Sequence, residues 1–122
     1  MQATVFPSKI VFIVNSMDKA AALDVIMRFR KAIESRGIKI SKLILYGSYA
    51  RGDYREGSGI ELILISEDFR NHDYWSRIDI LSEAIYDVFA PIEVVGFTPE
   101  EWDNQTSPLY DYAKQGEILY AA

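Results

Sequence analysis

The chain contains no cysteine, which excludes disulfides, thiolate nucleophiles and zinc centres built on cysteine. Its single histidine, His72, stands in a polar stretch beside Asp73 and has no partner at metal-ligand spacing. It reads as a surface residue. No apolar run approaches the ~18 residues of a membrane span. The run from Ile10 to Val14 is too short for the core of a signal peptide, and no small-residue cleavage site follows it. Positive charge is scarce as well: 13 Lys and Arg against 18 Asp and Glu leave a formal net charge of −5. Affinity for polyanions comes largely from Lys and Arg neutralising phosphates, so general RNA or DNA binding is not expected, while a local basic pocket for a nucleotide stays open. These absences together point to the cytoplasm.

What is present is enough for one packed core. With 122 residues, 49% of them hydrophobic, the chain is read as one domain spanning residues 1–122. Residues 1–15 form an extra apolar segment in which Thr4-Val5-Phe6 and Lys9 to Val14 have strand character, interrupted by Pro7. Proline there indicates an edge position or a bend, and an edge strand could serve as a contact surface for a partner or a second copy. Asn15 or Ser16 can cap a helix running to about Arg36, with Gly37 as its C-terminal stop. Ala22, Val25, Ile26, Phe29, Ala32 and Ile33 recur at threes and fours as its buried stripe. Arg28, Arg30 and Lys31 belong mostly to the solvated side, although a phosphate contact from them stays open.

Farther on, Ile38–Tyr46 reads as a strand, Gly47 to Ser58 as a glycine-bearing loop with a helical turn at Tyr49 to Arg51, and Ile60–Ile65 as a second strand. The second strand is apolar at nearly every position, which suits a central place in a sheet. A helix over roughly Tyr74 to Phe89 follows, with Trp75, Ile78, Leu81, Ile85, Val88 and Phe89 as its buried stripe, and Pro91 stops it. Ile92–Phe97 gives a third strand. Thr98-Pro99-Glu100-Glu101 is a helix start with a capping hydroxyl, proline at the first helical position and an acid three residues beyond the cap. A short helix from Ser107 to Gln115 and a last strand from Glu117 to Tyr120 close the chain. The expected class is α/β (α+β), a short mixed sheet with helices packed on it.

Two residues break the apolar pattern. Glu61 and Glu93 are each the lone charge in an apolar strand, near its N-terminal end. An ionised carboxylate buried there costs several kcal/mol unless it is compensated, and two on neighbouring strands would compensate each other by sharing a cation or a proton. Strand ends exposed to water would explain each Glu alone. Gly47-Ser48 adds a tight turn: Gly allows close backbone approach, the following N–H groups can face an anion, and Ser48 and Arg51 add donors suited to phosphate. Beside two acids able to hold magnesium, the turn becomes a nucleotide-phosphate pocket.

Here a resemblance enters. Leu45-Tyr46-Gly47-Ser48-Tyr49-Ala50-Arg51-Gly52 resembles the Gly-Ser-x-Ala-Arg-Gly signature of the DNA polymerase β-like nucleotidyltransferases, above all their minimal nucleotidyltransferase branch. The resemblance covers roughly residues 16 to 97. It implies a nucleotidyltransferase-like fold, with Gly47 and Ser48 holding a triphosphate, Glu61 as the second metal-binding carboxylate and Glu93 as the third. The family pattern continues Ser-Asp-hydrophobic-Asp, whereas this chain reads Ser58-Gly59-Ile60-Glu61. The first carboxylate therefore falls on Gly59. In a two-metal site the first two acids bridge ions about 3.5–4 Å apart, so glycine removes half of the bridge. Asp53 or Glu56 could swing in from the loop as a substitute.

Three functions follow as expectations. The preferred one is a catalytically impaired domain that acts by binding a protein, as antitoxin-like members of the family do with HEPN-type helical partners. The second is an active magnesium-dependent enzyme that transfers a nucleoside monophosphate from ATP to a protein or small-molecule hydroxyl. The third is a nucleotide sensor without turnover. A homo-oligomer is also open. The tyrosines and Trp102 toward the C-terminus could stack on a base or line an interface, and core packing accounts for them equally well.

Overall fold

A computed structural model describes residues 17–122. The expectations for residues 1–15, and for a cap at Asn15 or Ser16, lie outside the described residues. The elements run α1 (Lys19–Glu34), β1 (Lys42–Tyr46), α2 (Ser48–Arg51), β2 (Ile60–Ile65), a 3-10 turn (Glu67–Asn71), α3 (Tyr74–Val88), β3 (Ile92–Phe97), α4 (Pro99–Asp103), α5 (Pro108–Ala113) and β4 (Glu117–Ala121). The four strands form one mixed sheet in the order β3-β2-β1-β4. β1 pairs antiparallel with β2 and β4, while β2 and β3 run parallel, joined through the 3-10 turn and α3. β2 thus lies inside the sheet, as its apolar character at every position but Glu61 suits.

Alternation along the strands divides the core in two. Leu43, Leu45, Ile60, Leu62, Leu64 and Ile92 face α1 and α3, and are met by Ala22, Val25, Ile26, Phe29 and Ile33 from the first helix and Leu81, Ala84 and Val88 from the other. The opposite face carries Ile44, Tyr46, Ile63 and Ile65, covered by Trp102 of α4 and Ala113 of α5. Trp102 leans on Phe97 and Tyr110, so it is core. α4 is short enough to depend on its ends: Thr98 and Glu101 form a reciprocal capping box and Pro99 opens the helix, as expected. Ser107 caps α5 in front of Pro108.

The structure corrects three boundaries and two faces. α1 starts at Lys19, capped by Asp18, whose side chain accepts the Ala21 N–H at 2.8 Å. The strand expected over Ile38–Tyr46 begins only at Lys42. Ile38 and Ile40 are buried, but the backbone between them is held by side chains rather than a ladder: Lys39 N–H donates to Asp68 Oδ2 at 2.8 Å, and buried Ser66 Oγ donates to the Lys39 carbonyl at 2.5 Å. α3 ends at Val88, with Phe89 taking the left-handed cap conformation at φ 54°. Most consequentially, Trp75 does not join the buried stripe of α3: it is 70% exposed. Leu81, Ala84 and Val88 set the buried side, and at ~100° per residue Trp75 falls on the opposite one. Phe89 is exposed as well.

Candidate functional site

Register places the polar exceptions side by side. Glu61 on β2 is the direct partner of Glu93 on β3 and, across the other edge, of Tyr46 on β1. Neighbours in register share a face of the sheet, so Tyr46, Glu61 and Glu93 form a row across three strands, on the face covered by α4 and α5. Burial pushes the Glu61 carboxyl above its ordinary value; the Glu93 charge adds to this and Arg51 opposes it. Burial likewise raises the Tyr46 phenol, with Glu61 and then Glu93 adding to the shift. The site is an electronegative strip at the mouth of the Gly47 turn.

That turn is built on conformations only glycine takes readily. Gly47 has φ 77° and ψ −156°, and Gly52 ends α2 in the left-handed region at φ 90°. Between them α2 is a single turn: Ala50 and Arg51 N–H both donate to the Gly47 carbonyl, at 3.1 and 3.0 Å. Among the described residues no side chain caps it, which leaves the N–H groups of Ser48 and Tyr49 facing outward as donors. Gly47 also has no room for a side chain, because a β-carbon there would run into the Glu61 carboxylate, with Cδ at 2.8 Å. Two tyrosines brace the turn from behind. Buried Tyr49 donates its hydroxyl to the Met17 carbonyl at 2.8 Å and stacks on Tyr54 with ring centroids 4.5 Å apart. The Tyr54 hydroxyl in turn accepts the Lys19 N–H at 3.2 Å. The loop is therefore tied to the start of α1.

Gly59 stands two residues before Glu61 and on the same side of the strand. A β-carbon built on it would lie 2.9 Å from Glu93 Oε2. The Glu93 side chain thus leans over the position where a first acid would begin. Neither Asp53 nor Glu56 replaces that acid. Asp53 pairs with Arg51 at 3.3 Å on an exposed surface, Glu56 is exposed, and among the described residues no group of three or more His, Cys, Asp or Glu is placed to hold a metal. The donor set does not fit a bridged two-ion centre.

The remaining candidates sit elsewhere. Arg28 faces Asp24, and Arg30 pairs with Glu34 at 3.2 Å and lies over the Tyr120 ring. Lys31 is on the solvated side of the same helix. None of the three has a part in the turn. His72 is half-buried, with Nδ1 2.7 Å from Ser76 Oγ, a local bond at the start of α3. Tyr46 and Tyr54 were missing from the sequence-based candidates. Tyr46 could have been found by counting back along β1 from Gly47, whereas the link from Tyr54 to α1 spans 35 residues and leaves no local signal.

A mixed sheet with helices packed on both faces, a Gly-Ser turn at the end of β1 and acids on β2 and β3 define a nucleotidyltransferase-like domain. The chain belongs to the nucleotidyltransferase domain family, whose model matches residues 26–111. A curated protein of Methanocaldococcus jannaschii, named "Putative protein adenylyltransferase", is 32% identical over 100 residues, covering 78% of this chain and 94% of that protein. Among solved structures, a nucleotidyltransferase of Sulfolobus solfataricus, so named provisionally, superposes with a TM-score of 0.65 at 14% identity, over 99% of this chain and 93% of that one. A toxin–antitoxin structure with AMP-PNP gives a TM-score of 0.56 at 18% identity, covering 81% of this chain and 73% of that one. A mutant of the MntA–HpeT toxin–antitoxin gives 0.52, also at 18%, covering 87% and 75%. At such identities the structural likenesses establish the fold. Among the described residues, no helix is long and apolar enough to cross a membrane.

Proposed function

We propose that this domain is an impaired nucleotidyltransferase that keeps the phosphate turn and acts by binding a protein partner, antitoxin-like, with a HEPN-type helical protein as that partner. The observation that carries the reading is Gly59. It offers no carboxylate next to Glu61 and Glu93, and Glu93 leans across its place. In this reading Gly47, Ser48 and Arg51 receive the phosphates of ATP, while Glu61 and Glu93 are the remnant of the magnesium-binding set. Loss of a bridging ligand is a severe handicap, since a misplacement of only ~1 Å can already cost ~100-fold in rate. The antitoxin-like role draws support from the fold shared with the two toxin–antitoxin structures.

Label transfer from α-labelled ATP, in magnesium or manganese, tests the impairment. Purification with any HEPN-type helical protein found encoded beside this chain tests the partner. No transfer together with a stable complex is the expected result. Transfer by the natural chain would overturn the impairment, and failure to bind or neutralise that neighbour would overturn the partner role.

A second reading is favoured by the archaeal relative, whose name assigns it protein adenylylation. Under that reading the chain transfers AMP to a protein hydroxyl, with Glu61 and Glu93 as the acids. The same transfer assay, with the neighbouring protein as acceptor, separates the two. Calorimetry with ATP addresses nucleotide binding without turnover.

A further inference from the structure

The outer face of α3 plays no part in the core or in the row of acids. Trp75, Asp79, Ser82 and Tyr86 recur at fours and threes, a spacing that lines residues up along one side of a helix. All four are exposed, and the buried side, Leu81, Ala84 and Val88, points the other way. Trp75 is 70% and Tyr86 80% exposed. Tyr74, 65% exposed, meets Trp75 edge-to-face with centroids 5.1 Å apart and widens the aromatic patch. Two large aromatics eleven positions apart on one stripe span roughly 16 Å, about three helical turns. Exposed tryptophan and tyrosine at this density are the composition of an interface centre.

Charge selects the occupant. The exposed charges of α3 are Asp79, Glu83 and Asp87, and its lone base, Arg77, is turned inward to the Phe69 and His72 carbonyls and to Glu101. A second copy would set acid against acid across the contact. Arg36 neutralises part of the acidity, reaching Glu83 at 3.6 Å and Asp87 at 2.6 Å, whereas Asp79, the acid between the aromatics, has no ion pair among the described residues.

We propose that the Trp75–Tyr86 face of α3 docks a basic amphipathic helix of another protein, its apolar side on the aromatics and its Lys or Arg side chains beside Asp79. This rests on the partner-binding reading above and adds where the partner binds and what chemistry it carries. α3 covers the sheet face opposite Tyr46, Glu61 and Glu93, so a helix bound there leaves the phosphate turn open.

The test uses the full chain and three designed helical peptides: a Leu/Lys amphipathic helix, the same helix with Glu for Lys, and a scrambled Leu/Lys control. Because Trp102 is buried, fluorescence changes on binding report mainly Trp75. The Leu/Lys helix is expected to blue-shift the emission and saturate, while the acidic and scrambled peptides leave it unchanged. The exposed-site variant Y86A, read through Trp75, and the charge variant D79K should each weaken binding about ten-fold or more, with unchanged circular dichroism. Equal affinity of these variants, or binding of the acidic helix, would overturn the proposal, as would Trp75-dependent dimerisation of the chain alone in sedimentation. The peptide arm does not involve the neighbouring protein. If the neighbour binds the natural chain and the Y86A and D79K variants equally, the docking face is wrong and the partner role stands. If it binds none of them, the partner role fails.

Discussion

The Oε2 of Glu93 sits 2.9 Å from where a β-carbon on Gly59 would be. The two positions are matched: the longer acid on β3 uses the space that glycine leaves on β2. Restoring an acid at residue 59 therefore displaces Glu93 as well as adding a ligand. We expect Gly59→Asp with Glu93→Asp to give at least ~10-fold more label transfer from α-labelled ATP than Gly59→Asp alone, on the scale of rate loss for a misplaced group. Equal rates would show that the crowding is relieved by simple rotation of Glu93.

Gly47 and Glu61 make a second such pair. Alanine at residue 47 must adopt φ near 77° and meet the Glu61 carboxylate. That extended, positive-φ backbone alone costs ~1–3 kcal/mol for a residue with a side chain. Gly47→Ala should lower stability by about 2 kcal/mol or more, and Glu61→Ala should recover only the part due to collision. A double-mutant cycle in urea measures that coupling.

The raised Glu61 carboxyl makes stability depend on pH. Burial, then Glu93, holds it above the ordinary 4.5, against the pull of Arg51. The folded chain then binds this proton more tightly than the unfolded chain, so the slope of stability with pH is negative in that window. This contribution is full below pH 4.5 and falls as pH rises through that value to the raised one. Glu61→Gln should raise the melting temperature at pH 7 and leave it little changed at pH 4. An unchanged midpoint at pH 7 would mean that the ionised carboxylate carries no penalty.

Glu101 has the opposite sign. Its hydrogen bond from Arg77 is the main reason its carboxyl lies below 4.5, against the effect of burial. Its contribution is present above pH 4.5 and fades as pH falls through the lowered value. Arg77 also donates to the Phe69 and His72 carbonyls, at 2.8 and 3.0 Å, tying the 3-10 turn to α3 and α4. Arg77→Met should cost ~1–3 kcal/mol by leaving those carbonyls unpaired. It should also flatten the acid limb of the pH–stability curve, which calorimetry between pH 3 and 7 can follow.

Local chemistry carried most of the fold into the sequence. The Gly47-Ser48 turn, the mostly apolar strand at Ile60–Ile65, the capping box at Thr98 and the α1 stripe all depend on residues within a few positions of one another, and each stood where expected. The family signature picked out Gly47, Ser48, Glu61 and Glu93 from the sequence, with Gly59 where that pattern has an acid. What the sequence left open depended on distant partners. Ile38 and Ile40 have strand character, yet Ser66 and Asp68 hold the backbone there in another form.

Trp75 shows the limit most directly. Hydrophobicity put it inside, and the turn of α3 set by Leu81, Ala84 and Val88 put it outside. Its identity belongs to the sequence, but its exposure followed from which helix face the sheet could accommodate. The same division holds at the acids. The chain alone stated that residue 59 has no carboxylate. Only the pairing of β2 with β3 brought Glu93 over that gap, because strand register, a long-range choice, decides which side chains meet.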